Sequence, residues 1–116
     1  MRSLMLAIAL STVVGAQQTV YDPGNGVTLP QVVKEVKPEY TREAMDAHLE
    51  GSVIIGLVVR KDGNVTDAKV TRSLDPTYGL DKAALKAAEQ WKFKPGTKGG
   101  EPVAVRISVE LTFTLK

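Results

Sequence analysis

The segment Ser52–Ser73, SVIIGLVVRKDGNVTDAKVTRS, carries the clearest local pattern in the sequence, that of a complete β-hairpin. Its first half is an apolar run, and Asp62-Gly63 supplies a tight turn with the positive φ angle that glycine tolerates. The second half returns with alternating polar residues. Because the first strand is apolar on both faces, we predict that it lies centrally in a sheet. The second strand is half polar, which predicts an edge position.

The segment Val103–Leu115 is predicted to be a third strand, since apolar and polar residues alternate along its whole length. Two helices are predicted, Thr41–His48 with Thr41 as its cap, and Leu80–Trp91 with an apolar stripe at helical spacing. Because a helix joins the second and third strands, they run parallel, and the first strand fits between them. The predicted fold is α+β, a three-stranded antiparallel sheet in the order 2-1-3 with both helices packed on one face.

The first sixteen residues have the layout of a secretory signal peptide, with Arg2, an uncharged apolar stretch from Leu4 to Val14, and small residues before Gln17. As a helix this stretch reaches roughly 17 Å, against a hydrocarbon core about 30 Å thick, which disfavours a stable membrane span. The predicted organisation is a signal peptide at 1–16, a flexible leader at 17–31 and a folded domain at 32–116. A periplasmic location follows, and the alternative is an inner-membrane anchor that faces the periplasm.

The composition excludes several classes of function. The chain has 116 residues and no cysteine, which rules out thiolate metal sites, disulfides, cysteine nucleophiles and lipoprotein-type anchors. A formal net charge of +2 is too small to indicate nucleic-acid binding. The single histidine, His48, has no converging partners in the sequence and is predicted to end a short helix. We therefore predict a protein that is not an enzyme and has no cofactor, no metal site and no nucleic-acid partner.

The predicted topology leaves the last strand at an edge of the sheet, long, regular and without proline after Pro102. Such an edge offers a row of backbone N–H and C=O groups to which an extended peptide can add as a strand. Two alternatives remain open at this point. The extended segment Val27–Val36 could cover the edge, or the edge could pair with a second copy in a homodimer. Trp91 and Phe93 are predicted to be core anchors, and Thr97–Glu101 is predicted to be a solvated loop.

Several short motifs, taken in order, resemble the carboxy-terminal domain of the TonB family, and the resemblance covers about Val32 to Leu115. In that family the domain binds the TonB box, a short periplasmic segment of outer-membrane receptors, which adds as a strand to the edge of its sheet. The motifs are Pro38-Glu39-Tyr40, Glu50-Gly51-Ser52-Val53, Asp62-Gly63-Asn64-Val65, Leu80-Asp81-x-x-Ala84, Trp91-Lys92-Phe93-Lys94-Pro95, Gly100-x-Pro102-Val103 and the closing alternating strand.

The resemblance implies that the last strand receives the peptide and that the segment near Tyr40 flanks it. The implied partner-binding residues are Val103, Val105, Arg106, Ile107, Ser108, Val109, Glu110, Leu111, Thr112, Lys37, Pro38 and Tyr40. Two features depart from the family: Thr41 stands where proline is common, and no long proline-rich spacer precedes the domain. The predicted function is an exported periplasmic module that binds extended segments of outer-membrane receptors or other envelope proteins. The alternatives are an anchored energy transducer for TonB-dependent transport, or a homodimer that pairs through the same edge.

Overall fold

The computed structural model describes residues 19–116, so the predicted signal peptide at 1–16 lies outside the described residues. No helix within residues 19–116 is long and apolar enough to cross a membrane. The described residues form two helices and eight strands, which are β1 (Val20–Tyr21), β2 (Val27–Thr28), β3 (Gln31–Lys34), α1 (Arg42–Asp46), β4 (Gly51–Val59), β5 (Val65–Arg72), α2 (Leu80–Ala88), β6 (Lys92–Lys94), β7 (Gly96–Lys98) and β8 (Glu101–Phe113).

The main sheet is built around β4, which pairs antiparallel with β5 on one side and with β8 on the other. Beyond the end of β4, β8 forms a hairpin with β7, which in turn pairs with β2. β1 pairs with β8 in the parallel direction. The predicted α+β class is confirmed, but the sheet has six strands along β2-β7-β8-β4-β5 with β1 beside β8, and it is not the three-stranded sheet that the sequence predicts.

The additional strands come from segments that the sequence assigns to a loop and a leader. Residues 97–101, predicted to be a loop, hold the turn of the β7–β8 hairpin, where Gly99 and Gly100 adopt φ angles of 59° and 83°. Two consecutive residues at positive φ are what a two-residue hairpin turn of type I′ requires. Residues 19–31, assigned to a flexible leader, carry β1 and β2, and β3 pairs with β6 in a separate two-stranded sheet. Strands of two to four residues are too short to show a periodic pattern.

The core lies between the main sheet and the helices. The first strand of the hairpin is buried, as its apolar sequence predicts, because Val53, Ile55, Leu57 and Val59 of β4 are at most 1% exposed. α2 ends at Ala88, three residues before the predicted end at Trp91, yet Trp91 and Phe93 are both buried, as predicted. The remaining buried apolar side chains of this cluster are Ala44, Leu80, Ala84, Ala87, Ala88, Leu111 and Phe113.

The helix α1 begins directly after its predicted cap, Thr41, and ends at Asp46, two residues before the predicted end at His48. The Thr41 hydroxyl oxygen caps its first turn by accepting a hydrogen bond of 3.1 Å from the Ala44 N–H. His48 follows the last turn with a φ angle of 57°, the left-handed conformation that terminates many helices. The role of His48 in the fold is therefore to end α1.

Asp81, in the first turn of α2, holds the preceding loop against the helix. Its carboxylate accepts hydrogen bonds of 2.9 Å from the N–H groups of Leu74 and Asp75, and one from the Ser73 hydroxyl. Burial raises the pKa of Asp81, but the hydrogen bonds together outweigh burial, so this pKa lies below its usual range. The carboxylate therefore stabilises the fold in its ionised form.

We expect Asp81→Asn to lower the free energy of unfolding by about 2 kcal/mol near neutral pH, because an amide is a weaker acceptor and its own N–H group opposes the donors. Since the folded pKa is depressed, the stabilisation is present above the unfolded value of about 3.9 and is lost as the pH falls through the folded value. Urea denaturation at neutral and acid pH measures this, with Asp46→Asn on exposed α1 as the control. A difference from wild type that persists undiminished in strong acid would contradict the assignment.

Candidate functional site

The candidate site is the edge of β8 that β4 does not occupy. β4 pairs with Val105–Phe113 of β8 over nine consecutive residues without a shift in register. Val105 is paired on both sides, with Val59 of β4 and Tyr21 of β1, which places β1 on the edge opposite β4. From Arg106 to Phe113, no strand among residues 19–116 pairs with that edge. The backbone groups that point outward along this stretch are therefore available to a partner.

The edge of the main sheet along β5 is poorly suited to receive a strand. Its ladder with β4 shifts register twice, and Asp67 within it adopts a positive φ of 54°. Asp67, Lys69 and Arg72 also place charged, exposed side chains along this edge. Irregularity and charge are the features that protect natural edge strands from pairing. In contrast to the edge along β5, the open edge along β8 keeps a regular register.

Side chains along the open stretch of β8 alternate between the two faces of the sheet, as the sequence predicts. The exposed side chains belong to Arg106, Ser108, Glu110 and Thr112. On the other face, Leu111 and Phe113 are buried, whereas Ile107 and Val109 are only half-buried although they pack against the core. A strand added at this edge would cover the apolar surface that Ile107 and Val109 leave exposed.

A groove of about 400 Å³ runs beside the second half of this open edge. One wall is the segment that precedes α1, and the other is the end of β8 with the residues after it. A smaller cavity of about 260 Å³ lies between the same segment and α2. The residues that line the groove are Glu35, Val36, Lys37, Pro38, Tyr40, Trp91, Glu110, Leu111, Thr112, Phe113, Thr114 and Lys116.

Aromatic side chains fix the shape of the groove. The rings of Tyr40 and Phe113 meet edge to face with centroids 5.3 Å apart. The Tyr40 hydroxyl donates a hydrogen bond of 2.5 Å to the Leu49 carbonyl oxygen, so the ring is held at both ends. Burial, and secondarily the negative charge of Glu50, raises the pKa of Tyr40 above its ordinary value. The hydroxyl is protonated at neutral pH and can donate this hydrogen bond.

The wall opposite β8 is tied to the core by Trp91. The indole Nε1–H of Trp91 donates a hydrogen bond of 2.9 Å to the Val36 carbonyl oxygen. The Trp91 side chain is only 4% exposed. This long-range hydrogen bond therefore helps to position the irregular backbone that carries Lys37 and Pro38, between the β3–β6 ladder and the hydrogen bond of Tyr40.

The structure brings together most of the residues that the sequence assigns to the site. Lys37, Pro38 and Tyr40 line the same groove as the neighbouring residues Glu110–Thr112, and Arg106–Val109 continue along the open edge. Two of the assigned residues already have strand partners in the structure. The backbone of Val103 is paired with β7, and that of Val105 with both β1 and β4.

Six residues that line the groove are missing from the sequence-based set: Glu35, Val36, Trp91, Phe113, Thr114 and Lys116. Of these, the sequence predicts Trp91 and Phe113 only as core or strand residues. The site offers backbone donors and acceptors, an apolar strip and charges of both signs at the rim of the groove. Within residues 19–116, no group of three His, Asp or Glu side chains is placed to hold a metal ion. What the arrangement can do chemically is bind an extended chain.

Residues 36–115 match the family described as Gram-negative bacterial TonB protein C-terminal. Over 78 residues the chain is 38% identical to Protein TonB of Xanthomonas campestris pv. campestris strain B100, an alignment that covers 67% of this chain and 34% of that protein. Over 85 residues it is 36% identical to Protein TonB of Vibrio cholerae, covering 73% and 34% respectively. The aligned part is therefore about a third of the length of these curated relatives.

The solution NMR structure of the Pseudomonas aeruginosa TonB CTD has the same fold. It superimposes with a TM-score of 0.61 at 24% sequence identity, and the match covers 83% of this chain and 94% of that one.

Proposed function

Since this chain belongs to the TonB C-terminal domain family, we propose that it is an envelope protein whose domain binds an extended segment of an outer-membrane receptor. The segment adds as a strand to the open edge of β8. The observation that carries this proposal is the unpaired backbone of β8 from Arg106 to Phe113, beside a groove of about 400 Å³. Main-chain hydrogen bonds supply affinity in this mode, and alternate side chains supply selectivity.

The side chains around the edge indicate which segment fits. The half-buried Ile107 and Val109 favour apolar residues at every second position of the partner, facing the core. The rim of the groove carries both signs of charge, with Lys37 and Lys116 against Glu35 and Glu110. A strongly charged partner of either sign gains little there, so the proposed partner is a nearly neutral extended segment.

The proposed location is the periplasm, reached through a cleavable signal at residues 1–16. If that segment is retained, the protein is instead anchored in the inner membrane and takes part in energy transduction. The first residue of the exported protein distinguishes the two, because Gln17 indicates cleavage and Met1 indicates retention.

Disulfide trapping tests strand addition, because the chain has no cysteine and an introduced thiol is unique. Ser108→Cys places the thiol on the open edge of β8, and the control Lys69→Cys places it on the exposed edge strand β5. The probes are synthetic peptides from the amino-terminal periplasmic segments of outer-membrane receptors, each with one cysteine. Residues opposite each other on adjacent strands have the Cα spacing a disulfide requires. We expect cross-linking of Ser108→Cys to be at least about tenfold faster than that of the control.

Equal rates at the two positions, or no cross-link at either, would contradict strand addition at β8. A cross-link between two copies of the Ser108→Cys protein without peptide would favour the homodimer instead. Mass spectrometry of the non-reduced products separates these results.

A further inference from the structure

β1 lies on the same edge of β8 that we propose receives the partner. Val20 is paired with Ala104 and Tyr21 with Val105, in the parallel direction. The open stretch begins at the next residue, Arg106. The chain's own amino-terminal part therefore already occupies this edge as a short added strand, directly next to the vacant part.

Several contacts hold β1 in place. The Asp22 carboxylate lies 2.9 Å from a guanidinium nitrogen of Arg106, and the ammonium nitrogen of Lys98 lies 5.2 Å from the centroid of the Tyr21 ring. The side chains of Asp22 and Arg106 are 72% and 56% exposed, so their ion pair alone contributes at most about 1 kcal/mol. A second attachment follows at once, since β2 pairs with β7.

The backbone after Asp22 cannot continue along β8. Pro23 comes next, and Gly24, Asn25 and Gly26 all have positive φ angles, of 104°, 53° and 82°. Successive residues in that region turn the chain and are incompatible with an extended strand. The edge is thus covered by β1 through Val105 and by the side chain of Asp22 at Arg106, which leaves the seven residues Ile107–Phe113 vacant. At a rise of about 3.3 Å per residue this vacancy is about 23 Å long.

We propose that β1 is a built-in stop that sets the length and register of the added strand. The partner strand occupies Ile107–Phe113 and ends against Asp22, which pairs with Arg106 and closes that end of the site. A partner of about seven extended residues fits, with a residue such as proline or glycine taking its chain out of the sheet beside Asp22. A longer strand must first displace β1 and lose its contacts. This inference rests on the proposed function and adds a limit on the length of the partner strand.

The test compares the wild-type chain with Asp22→Lys, which places a second cation beside Arg106 and releases β1. Asp46→Lys, on the exposed side of α1, makes the same charge change away from the site. Tyr21→Pro releases β1 by a second route, because it removes a backbone N–H and the ring that contacts Lys98. The probes are receptor amino-terminal peptides of seven and eleven residues. Amide chemical shifts along β8 give the footprint, and titration gives the affinity.

With wild type and Asp46→Lys, we expect both peptide lengths to bind within about twofold of each other and the footprint to begin at Ile107. In the two released variants the footprint reaches Ala104, and the longer peptide binds about fivefold tighter, as expected for about two more paired residues. A wild-type footprint that reaches Ala104, or the same length dependence in all four proteins, overturns the stop and leaves strand addition standing. Absence of binding in all four overturns the proposed function and the stop together.

Discussion

Gly63→Ala is expected to lower the free energy of unfolding by about 3 kcal/mol, because two costs coincide at this turn. Gly63 has a φ angle of 86°, and a left-handed conformation costs a residue with a Cβ about 1–2 kcal/mol. A Cβ at this position would also lie 2.0 Å from the Phe93 carbonyl oxygen. The backbone must shift to relieve that overlap, which adds about 1–3 kcal/mol. The shift also weakens the 3.0 Å hydrogen bond from the Phe93 N–H to the Gly63 carbonyl oxygen.

Gly99→Ala separates the two costs. Gly99 also has a positive φ angle, 59°, but a Cβ there would meet no atom within 4 Å. Its substitution is expected to cost only about 1 kcal/mol, the conformational part alone. Urea denaturation of both variants measures the difference. If Gly63→Ala and Gly99→Ala are equally destabilised, the contact between the hairpin tip and β6 does not contribute.

Gly63 also illustrates what the sequence could and could not predict. The pattern around Asp62-Gly63 predicts the hairpin correctly, because a turn and two periodic strands are determined by neighbouring residues. The contact of that turn with Phe93 joins residues thirty positions apart, so no pattern in the neighbouring sequence predicts it. The same holds for the short strands β1, β2, β3, β6 and β7. Each is defined by its partner in space rather than by its own sequence.

The candidate site also has one part that the local sequence predicts and another that depends on distant segments. The alternation of β8 predicts which side chains of Arg106–Phe113 face the core, and the structure agrees. At Ala104 the alternation predicts an exposed side chain, yet this residue is fully buried at the point where β1 pairs with β8. Whether a strand is at an edge depends on every segment that could cover it. A two-residue strand such as β1 cannot be found from periodicity, and so the open edge was predicted to be longer than it is.

The position of the groove was available from the sequence only through family resemblance. Nothing in the local pattern places Lys37 or Pro38 beside Thr112. The hydrogen bond from Trp91 to the Val36 carbonyl oxygen helps to hold this segment beside β8, and it joins residues 55 positions apart. Trp91 was predicted to be a core anchor, and it is one. Its indole N–H gives it a second role, because it connects the core to a wall of the groove.

Trp91→Ala is expected to lower the free energy of unfolding by about 4 kcal/mol, the usual cost of removing a buried aromatic side chain. Trp91→Phe is the more informative change, since it keeps most of the apolar contact with Phe93, whose ring centroid is 6.1 Å away, and removes the indole N–H. The Val36 carbonyl oxygen then loses its partner, which costs about 1–2 kcal/mol. Thermal and urea denaturation measure both variants.

The same substitution tests whether the wall of the groove matters for binding. With Trp91→Phe still folded, we expect the receptor peptides that cross-link to Ser108→Cys to bind about fivefold more weakly, because the segment at Val36 must be ordered again on binding. Ile55→Val is the matched control: it lies in buried β4, is absent from the groove lining, and costs about 1 kcal/mol. If Ile55→Val weakens binding as much as Trp91→Phe, the loss reflects general destabilisation. If neither does, the open edge of β8 binds the peptide without help from this wall.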